Sequence, residues 1–156
     1  MTSIGDDNLL MAYAHVAHDC HVESHTVLAN GVTLGGHVTI ANYARIGAFT
    51  GVHQFCRIGR HAMIGGYCVI TQDVAPFSLT STTRDPKVYG PNKIGLERHD
   101  FPAETIQGLH KAFRLLGSKD LNTTQALERI RTDVAGTAEV TELVEFIVQS
   151  ERGVIK

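Results

Sequence analysis

No stretch of this 156-residue chain approaches the roughly 18 consecutive apolar residues of a membrane span. The first thirty residues also lack the basic start, apolar run and small-residue cleavage site of a secretory signal. Both absences predict a soluble, cytoplasmic protein. Charge of one sign is scarce as well: 14 Lys and Arg against 16 Asp and Glu leave a formal net charge of -2. The totals therefore argue against a nucleic-acid or polyanion binder, and any charged partner must be met locally. Cysteine is rare and odd in number; three thiols without an export signal do not make a disulfide framework. What remains is 43% hydrophobic and long enough for one medium domain with a small appendage.

The apolar residues follow an unusual rhythm. Ile4, Leu10, Val16, Val22, Leu28, Leu34, Ile40, Ile46, Val52, Ile58, Ile64 and Ile70 recur at every sixth position without a gap. With such residues at about a quarter of positions, this run has a chance of about one in 10⁷. Four places after each aliphatic the side chain is usually small, as at Ala14, Thr26, Ala44 and Thr50, and Cys20, Cys56 and Cys68 all fall in this register. The cysteines therefore read as small interior hydrophobes rather than nucleophiles or metal ligands. Six is three times the strand period, so every sixth residue of extended chain faces the same way. Repeats of this length belong to parallel β-helices.

The segments IGDDNL, LGGHVT, IGAFTG, IGRHAM and IGGYCV resemble the hexapeptide repeat of left-handed β-helix acyltransferases. That resemblance implies triangular coils of eighteen residues, almost four of them between residues 4 and 74, and a homotrimer with active sites between subunits. Residues eighteen apart then lie about 4.8 Å apart along the axis. On that spacing His18 sits below Gly36 and Gln54, with Asp19, His37, His53 and Asp73 one place to either side. His25 and His61 form a second alignment with Tyr43 between them. Histidines gathered on one edge suit proton transfer at neutral pH. They equally suit zinc, as in the γ-class carbonic anhydrases built on this scaffold. Spacing alone leaves both open.

A longer match favours the first. NLLMAYAHVAHDC at 8 to 20, LGGHVTI at 34 to 40, GVHQFCRIG at 51 to 59, MIGG at 63 to 66 and GLERHDF at 95 to 101 closely resemble the acyl-carrier-protein UDP-N-acetylglucosamine O-acyltransferases of lipid A biosynthesis. The resemblance implies transfer of a 3-hydroxyacyl group from acyl carrier protein to the sugar 3-hydroxyl, with His18 as general base. Asp19 would orient it and the Gly36 N–H would stabilise the oxyanion. His15, His37, His53 and Gln54 would contact sugar, phosphate and phosphopantetheine, and Asn92 and Arg98 the nucleotide. Gly66 would leave room at the end of the acyl groove. No metal and no separate cofactor is implied, because the acyl group arrives on the carrier's phosphopantetheine. A 3-amino acceptor, a zinc-dependent carbonic-anhydrase-like protein and a non-catalytic truncated scaffold are the alternatives.

The chain departs from the family pattern in three places. His99 stands where a second arginine is frequent, and Ile94 where an acidic residue is common. The family also carries several more coils before its NLLM segment, which predicts a fragment or a short natural form with an open parallel edge at its first coil. The sixfold pattern stops after Val74. We therefore expect a β-helix over 1–76, a connecting loop and short helix over 77–100, and a helical domain over 101–156. In that domain Pro102 opens a helix carrying Ile106, Leu109, Phe113 and Leu116 and ended by Gly117. Thr123 or Thr124 caps a second. A third carries Val140, Leu143, Val144 and Ile147 and runs until Gly153. Lys93, Arg98, His99, His110, Lys111 and Arg114 are candidates for the diphosphate or an acidic carrier protein.

Overall fold

The computed structural model describes residues 1–81, 83–134 and 136–156. Position 82, within the expected loop, lies outside the described residues. Twelve two-residue strands, β1 (Ser3–Ile4) to β12 (Val69–Ile70), recur every six residues and wind into a three-sided parallel β-helix of about four turns. The register is eighteen throughout: Ile4 pairs with Val22, Val22 with Ile40, and Ile40 with Ile58. Each coil donates its N–H groups to the next, as from Leu9 to Thr26 at 2.9 Å and from His15 to Val32 at 2.8 Å.

The sixth-residue aliphatics point into the prism. From Val22 to Ile70 every one is buried, and Cys20, Cys56 and Cys68 fill the narrow interior beside them as free thiols. Each fully buried Leu or Ile contributes about 1.5–3 kcal/mol. Ile4 and Leu10, in the first of the described coils, are instead 45% and 41% exposed.

The corners hold a feature that the hexad pattern did not reveal. Asp7, Tyr13, Asp19, His25, His37, Tyr43, Phe49, Phe55, His61 and Tyr67 all have φ between 54 and 67°. This left-handed conformation normally favours glycine. In the β-helix only Gly31 among the glycines shares it. The other glycines of the hexads serve close approach instead: a Cβ on Gly47 would lie 2.4 Å from the Gly66 nitrogen, and one on Gly59 2.3 Å from the Pro76 nitrogen. Because the corner residues repeat every eighteen positions, their rings stack. His25, Tyr43 and His61 form a column with centroid spacings of 4.8 and 4.7 Å and planes within 9°. Such stacking offsets the backbone cost of the corners.

The region after Val74 is more ordered than a loop. Strand β13 (Ser78–Ser81) continues the sheet beside β11 (Met63–Ile64) and turns back antiparallel into β14 (Lys87–Pro91). Helix α1 (Lys93–Arg98) follows, then α2 (Ala103–Leu116), α3 (Thr123–Asp133) and α4 (Ala138–Val148). Pro102 and Gly117 bound α2 as expected. The cap of α3 is Asn122 rather than Thr123 or Thr124, because Asn122 accepts from the Gln125 N–H while the Gln125 side chain accepts from the Asn122 N–H. Helix α4 ends at Gln149, short of Gly153. The remaining segment returns to the last coil, where the Asp73 N–H donates to Gly153 and Asp73 O accepts from Ile155. Two apolar cores result, one inside the prism and one among the helices, with Val88 against both. No helix among the described residues is long and apolar enough to cross a membrane.

Candidate active site

The corner following β3 (His15–Val16) carries His18 and Asp19, both in the turn. Successive residues of flat strand would point to opposite sides; the left-handed conformation of Asp19, with φ of 57°, bends the chain so that the two side chains meet. Nδ1 of His18 lies 3.0 Å from Asp19 Oδ2. Asp19 also accepts from the N-terminal amine of Met1. These contacts, the amine first and His18 second, hold its carboxyl down to about 2. The carboxylate is therefore ionised at neutral pH and accepts a hydrogen bond from Nδ1–H, which leaves the lone pair of His18 on Nε2, beside Gly36.

Gly36 lies one coil above. A Cβ placed there would stand 2.6 Å from His18 Cε1 and 2.7 Å from Nε2, so only glycine admits the imidazole in this position. The carbonyl of Gly36 accepts from the Phe55 N–H at 3.1 Å. Its own N–H has no acceptor among the described residues. The His18 imidazole and a free amide donor are thus neighbours. His37 completes the cluster, its ring edge-on to His18 at 5.2 Å, its Nε2 3.8 Å from Asp19 Oδ2 and its opposite face stacked on Phe55 at 4.7 Å.

Among the described residues His18, Asp19 and His37 are the one set of three such side chains with ligand atoms within 4.8 Å of one another. Tetrahedral zinc with bonds of 2.0–2.2 Å brings its ligand atoms to about 3.4 Å. The distances here fall on either side of that value, 3.0 Å from His18 Nδ1 and 3.8 Å from His37 Nε2 to Asp19 Oδ2, and Asp19 is already committed to His18 and the amine. The arrangement is an imidazole held by a carboxylate, with a second imidazole beside it. Above it, Thr33, Gly35, Gly36, Gly51, His53, Gln54 and Thr71 line an open trough of about 420 Å³ along one face of the prism. His15 lies on the same face, paired with Thr33.

The C-terminal half, residues 73–155, matches the family model described as UDP N-acetylglucosamine O-acyltransferase, domain 2. Residues 1–36 and 37–72 match the bacterial transferase hexapeptide model. The chain belongs to the UDP-N-acetylglucosamine O-acyltransferase family. It is 50% identical over 155 residues to the acyl-[acyl-carrier-protein]–UDP-N-acetylglucosamine O-acyltransferase of Syntrophobacter fumaroxidans, covering 99% of this chain and 60% of that protein. The enzyme of the same name from Thermodesulfovibrio yellowstonii is 44% identical with the same coverage. The solved UDP-N-acetylglucosamine O-acyltransferase of Moraxella catarrhalis superimposes with a TM-score of 0.93 at 39% identity, over 100% of this chain and 60% of that one. The chain thus spans about 60% of the length of the curated relatives it matches.

The other residues singled out by resemblance to this acyltransferase family lie elsewhere. Asn92 caps α1, accepting from the Gly95 N–H at 3.1 Å, while its Nδ2 donates to the His61 carbonyl at 3.1 Å. It therefore belongs with the His25–Tyr43–His61 corner. Arg98, in the last turn of α1, is exposed, and His99 packs edge-on against Tyr43 and His61. Gly66 occupies the third corner, exposed beside Tyr67, where a Cβ would lie 3.1 Å from the Ala48 carbonyl. Within one chain these residues are not brought to His18. His110, Lys111 and Arg114 line a separate cavity of about 360 Å³ with Tyr89 and Phe113, whereas Lys93 lies 3.6 Å from Glu97. Sequence reasoning missed Arg152, whose Nη2 lies 3.3 Å from His53 Nδ1. A lone arginine in a terminal segment without periodicity carries no signal of its own.

Proposed function

We propose that the chain carries the catalytic corner of an acyl-carrier-protein-dependent UDP-N-acetylglucosamine O-acyltransferase, acting in the cytoplasm in the first step of lipid A biosynthesis. The observation that carries this reading is the His18 imidazole, oriented by Asp19 through Nδ1 and lying against Gly36. The sugar 3-hydroxyl oxygen attacks the carbonyl carbon of a 3-hydroxyacyl thioester as His18 Nε2 takes its proton. The Gly36 N–H donates to the oxyanion of the tetrahedral intermediate. Collapse breaks the C–S bond, and His18 returns the proton to the departing thiolate, so one ester and one free carrier thiol result. Asp19 stabilises the imidazolium between the two steps. The acyl group comes on the carrier's phosphopantetheine, and the chemistry calls on no metal.

His15, His37, His53 and Gln54 surround the corner and trough and would position sugar, phosphate and pantetheine. Asn92 and Arg98 for the nucleotide, and Gly66 at the end of the acyl groove, stand on the other two corners. A site that uses all of them draws on more than one copy of the chain, which supports a homotrimer with active sites between subunits. The basic cavity of His110, Lys111 and Arg114 would meet the acidic carrier protein.

The test is mass spectrometry of products after mixing the chain with UDP-N-acetylglucosamine and a panel of acyl-carrier thioesters. We expect one O-acylated sugar nucleotide. His18→Ala should lower turnover by about 10²–10⁴ while leaving the oligomeric mass unchanged. Undiminished turnover in that variant would remove His18 from the chemistry, and acylation of a 3-amino UDP-sugar with none of UDP-N-acetylglucosamine would reassign the acceptor.

A further inference from the structure

The C-terminal segment delivers a cation to the trough. Asp73, 1% exposed, ties it to the prism: one carboxylate oxygen accepts from the Arg57 N–H of the last coils and the other from Ser150 Oγ, at 2.8 Å each. Its backbone holds Gly153 and Ile155 on either side of Val154. Arg152 is thereby fixed over the trough wall. Its Nε and Nη2 donate to the Thr71 carbonyl at 3.4 and 3.2 Å, and Nη2 reaches His53 Nδ1 at 3.3 Å.

Two features distinguish this guanidinium. Arg60 is paired with Glu142 at 2.8 Å and Arg57 lies over the Phe146 ring, but among the described residues no carboxylate comes within 4.0 Å of Arg152. A half-buried cation without a counter-ion favours an anionic ligand. The second feature concerns His53, whose Nδ1 also lies 3.1 Å from the Gln54 carbonyl. One nitrogen cannot serve both: the arginine needs its lone pair and the carbonyl its proton. The fixed cation decides for the lone pair, so Nε2 carries the proton and becomes a second donor beside Arg152.

We infer that Arg152 and His53 form an anion subsite at the upper end of the trough, which holds a phosphoryl group of a ligand whose reacting end lies at Gly36. His53 and Thr71 stand one and two coils above Gly35, so the phosphoryl group would lie about 5–10 Å along the axis from the oxyanion donor. Two sources supply this chemistry, the diphosphate of a sugar nucleotide and the phosphodiester of a pantetheine arm. Assigning the source rests on the acyltransferase reading; the subsite itself does not.

The experiment follows the side-chain imidazole resonances of His53 by NMR in the 17.0 kDa chain. Inorganic pyrophosphate is the first probe, and UDP-N-acetylglucosamine and 4′-phosphopantetheine follow, the latter beside phosphate-free pantetheine. Pyrophosphate should shift His53 in the wild type. Arg152→Met should weaken that binding about tenfold or more, and Arg152→Lys less. Ser150→Ala, which loosens the same segment but keeps the guanidinium, should weaken it clearly less than Arg152→Met does. An unmoved His53 in the wild type, or equal weakening by Ser150→Ala and Arg152→Met, would overturn the subsite. A pyrophosphate response with none from either organic ligand would leave the subsite standing and overturn the acyltransferase reading. Pantetheine binding should be indifferent to Arg152; a loss equal to that of phosphopantetheine would also count against a phosphoryl site.

Discussion

Replacing Gly36 by alanine adds one methyl group at the tightest point of the candidate site. Its carbon would stand 2.6 Å from His18 Cε1, 2.7 Å from Nε2 and 3.2 Å from Nδ1, where ordinary contact between carbon atoms is about 3.5–4.0 Å. The imidazole must therefore retreat by about 1 Å. Its Nδ1 is tied to Asp19, so the retreat either breaks that 3.0 Å bond or drags the carboxylate with it. A displacement of this size costs about 10²-fold in rate. The fold should hardly notice. Gly36 has no left-handed φ, so alanine is not strained there, and a less flexible unfolded chain gains about 0.4–1 kcal/mol for the folded state. The displaced His18 side chain is 72% exposed and surrenders little packing. We expect kcat to fall about 10²-fold with a smaller change in KM, and the melting temperature to hold or rise slightly. Steady-state kinetics on the acyltransferase reaction and thermal melts read the two effects separately. Wild-type kcat, or a loss of activity matched by a loss of stability, would refute the argument.

Three further predictions concern the scaffold. Burial, aided by Arg60, His99 and Arg45, pushes His61 down to about 4, so between pH 6.5 and 4 the unfolded chain takes up a proton that the folded chain refuses. Stability should fall by up to about 3 kcal/mol across that window, with no further loss from this group below it and none above. His61→Phe keeps the stack on Tyr43 and should flatten that part of the dependence in denaturant titrations at pH 7.5 and 4.5; parallel curves would count against it. Burial raises the Cys56 thiol to about 11 and also raises Cys68, while Cys20 donates to the Gly35 carbonyl inside the prism. A thiol reagent at pH 8 should label none of the three in the native chain and all three in denaturant, so rapid native labelling would contradict their interior placement. Gly59→Ala drives a carbon to 2.3 Å from the Pro76 nitrogen and should cost about 1–3 kcal/mol, whereas Gly51→Ala meets nothing within 4 Å and should be close to neutral. Equal melting temperatures would refute close approach as the reason for Gly59.

The β-helix could be read before any coordinates because its information is local and repeated. An aliphatic at every sixth place states which side faces in, the small residues state how narrow the interior is, and the eighteen-residue coil then places His18 beneath Gly36. The Tyr43 ring between His25 and His61 followed from the same arithmetic. Other features depended on distances that periodicity does not encode. Propensity assigns left-handed corners to glycine, yet Asp19, His37 and Phe55 adopt them because hydrogen bonds and stacked rings from neighbouring coils compensate. The hairpin of β13 and β14 forms because the last coil offers it a sheet edge, and Asn122 displaces the neighbouring threonines as a cap because Gln125 can reciprocate. The tie between Arg152 and His53 spans 99 positions and exists only because α4 ends early and Asp73 pulls the final segment back across the prism. A short repeat can dictate the wall of a molecule. Which distant side chains meet on that wall is settled by packing, since it is packing that selects one path for the chain among the many its local preferences allow.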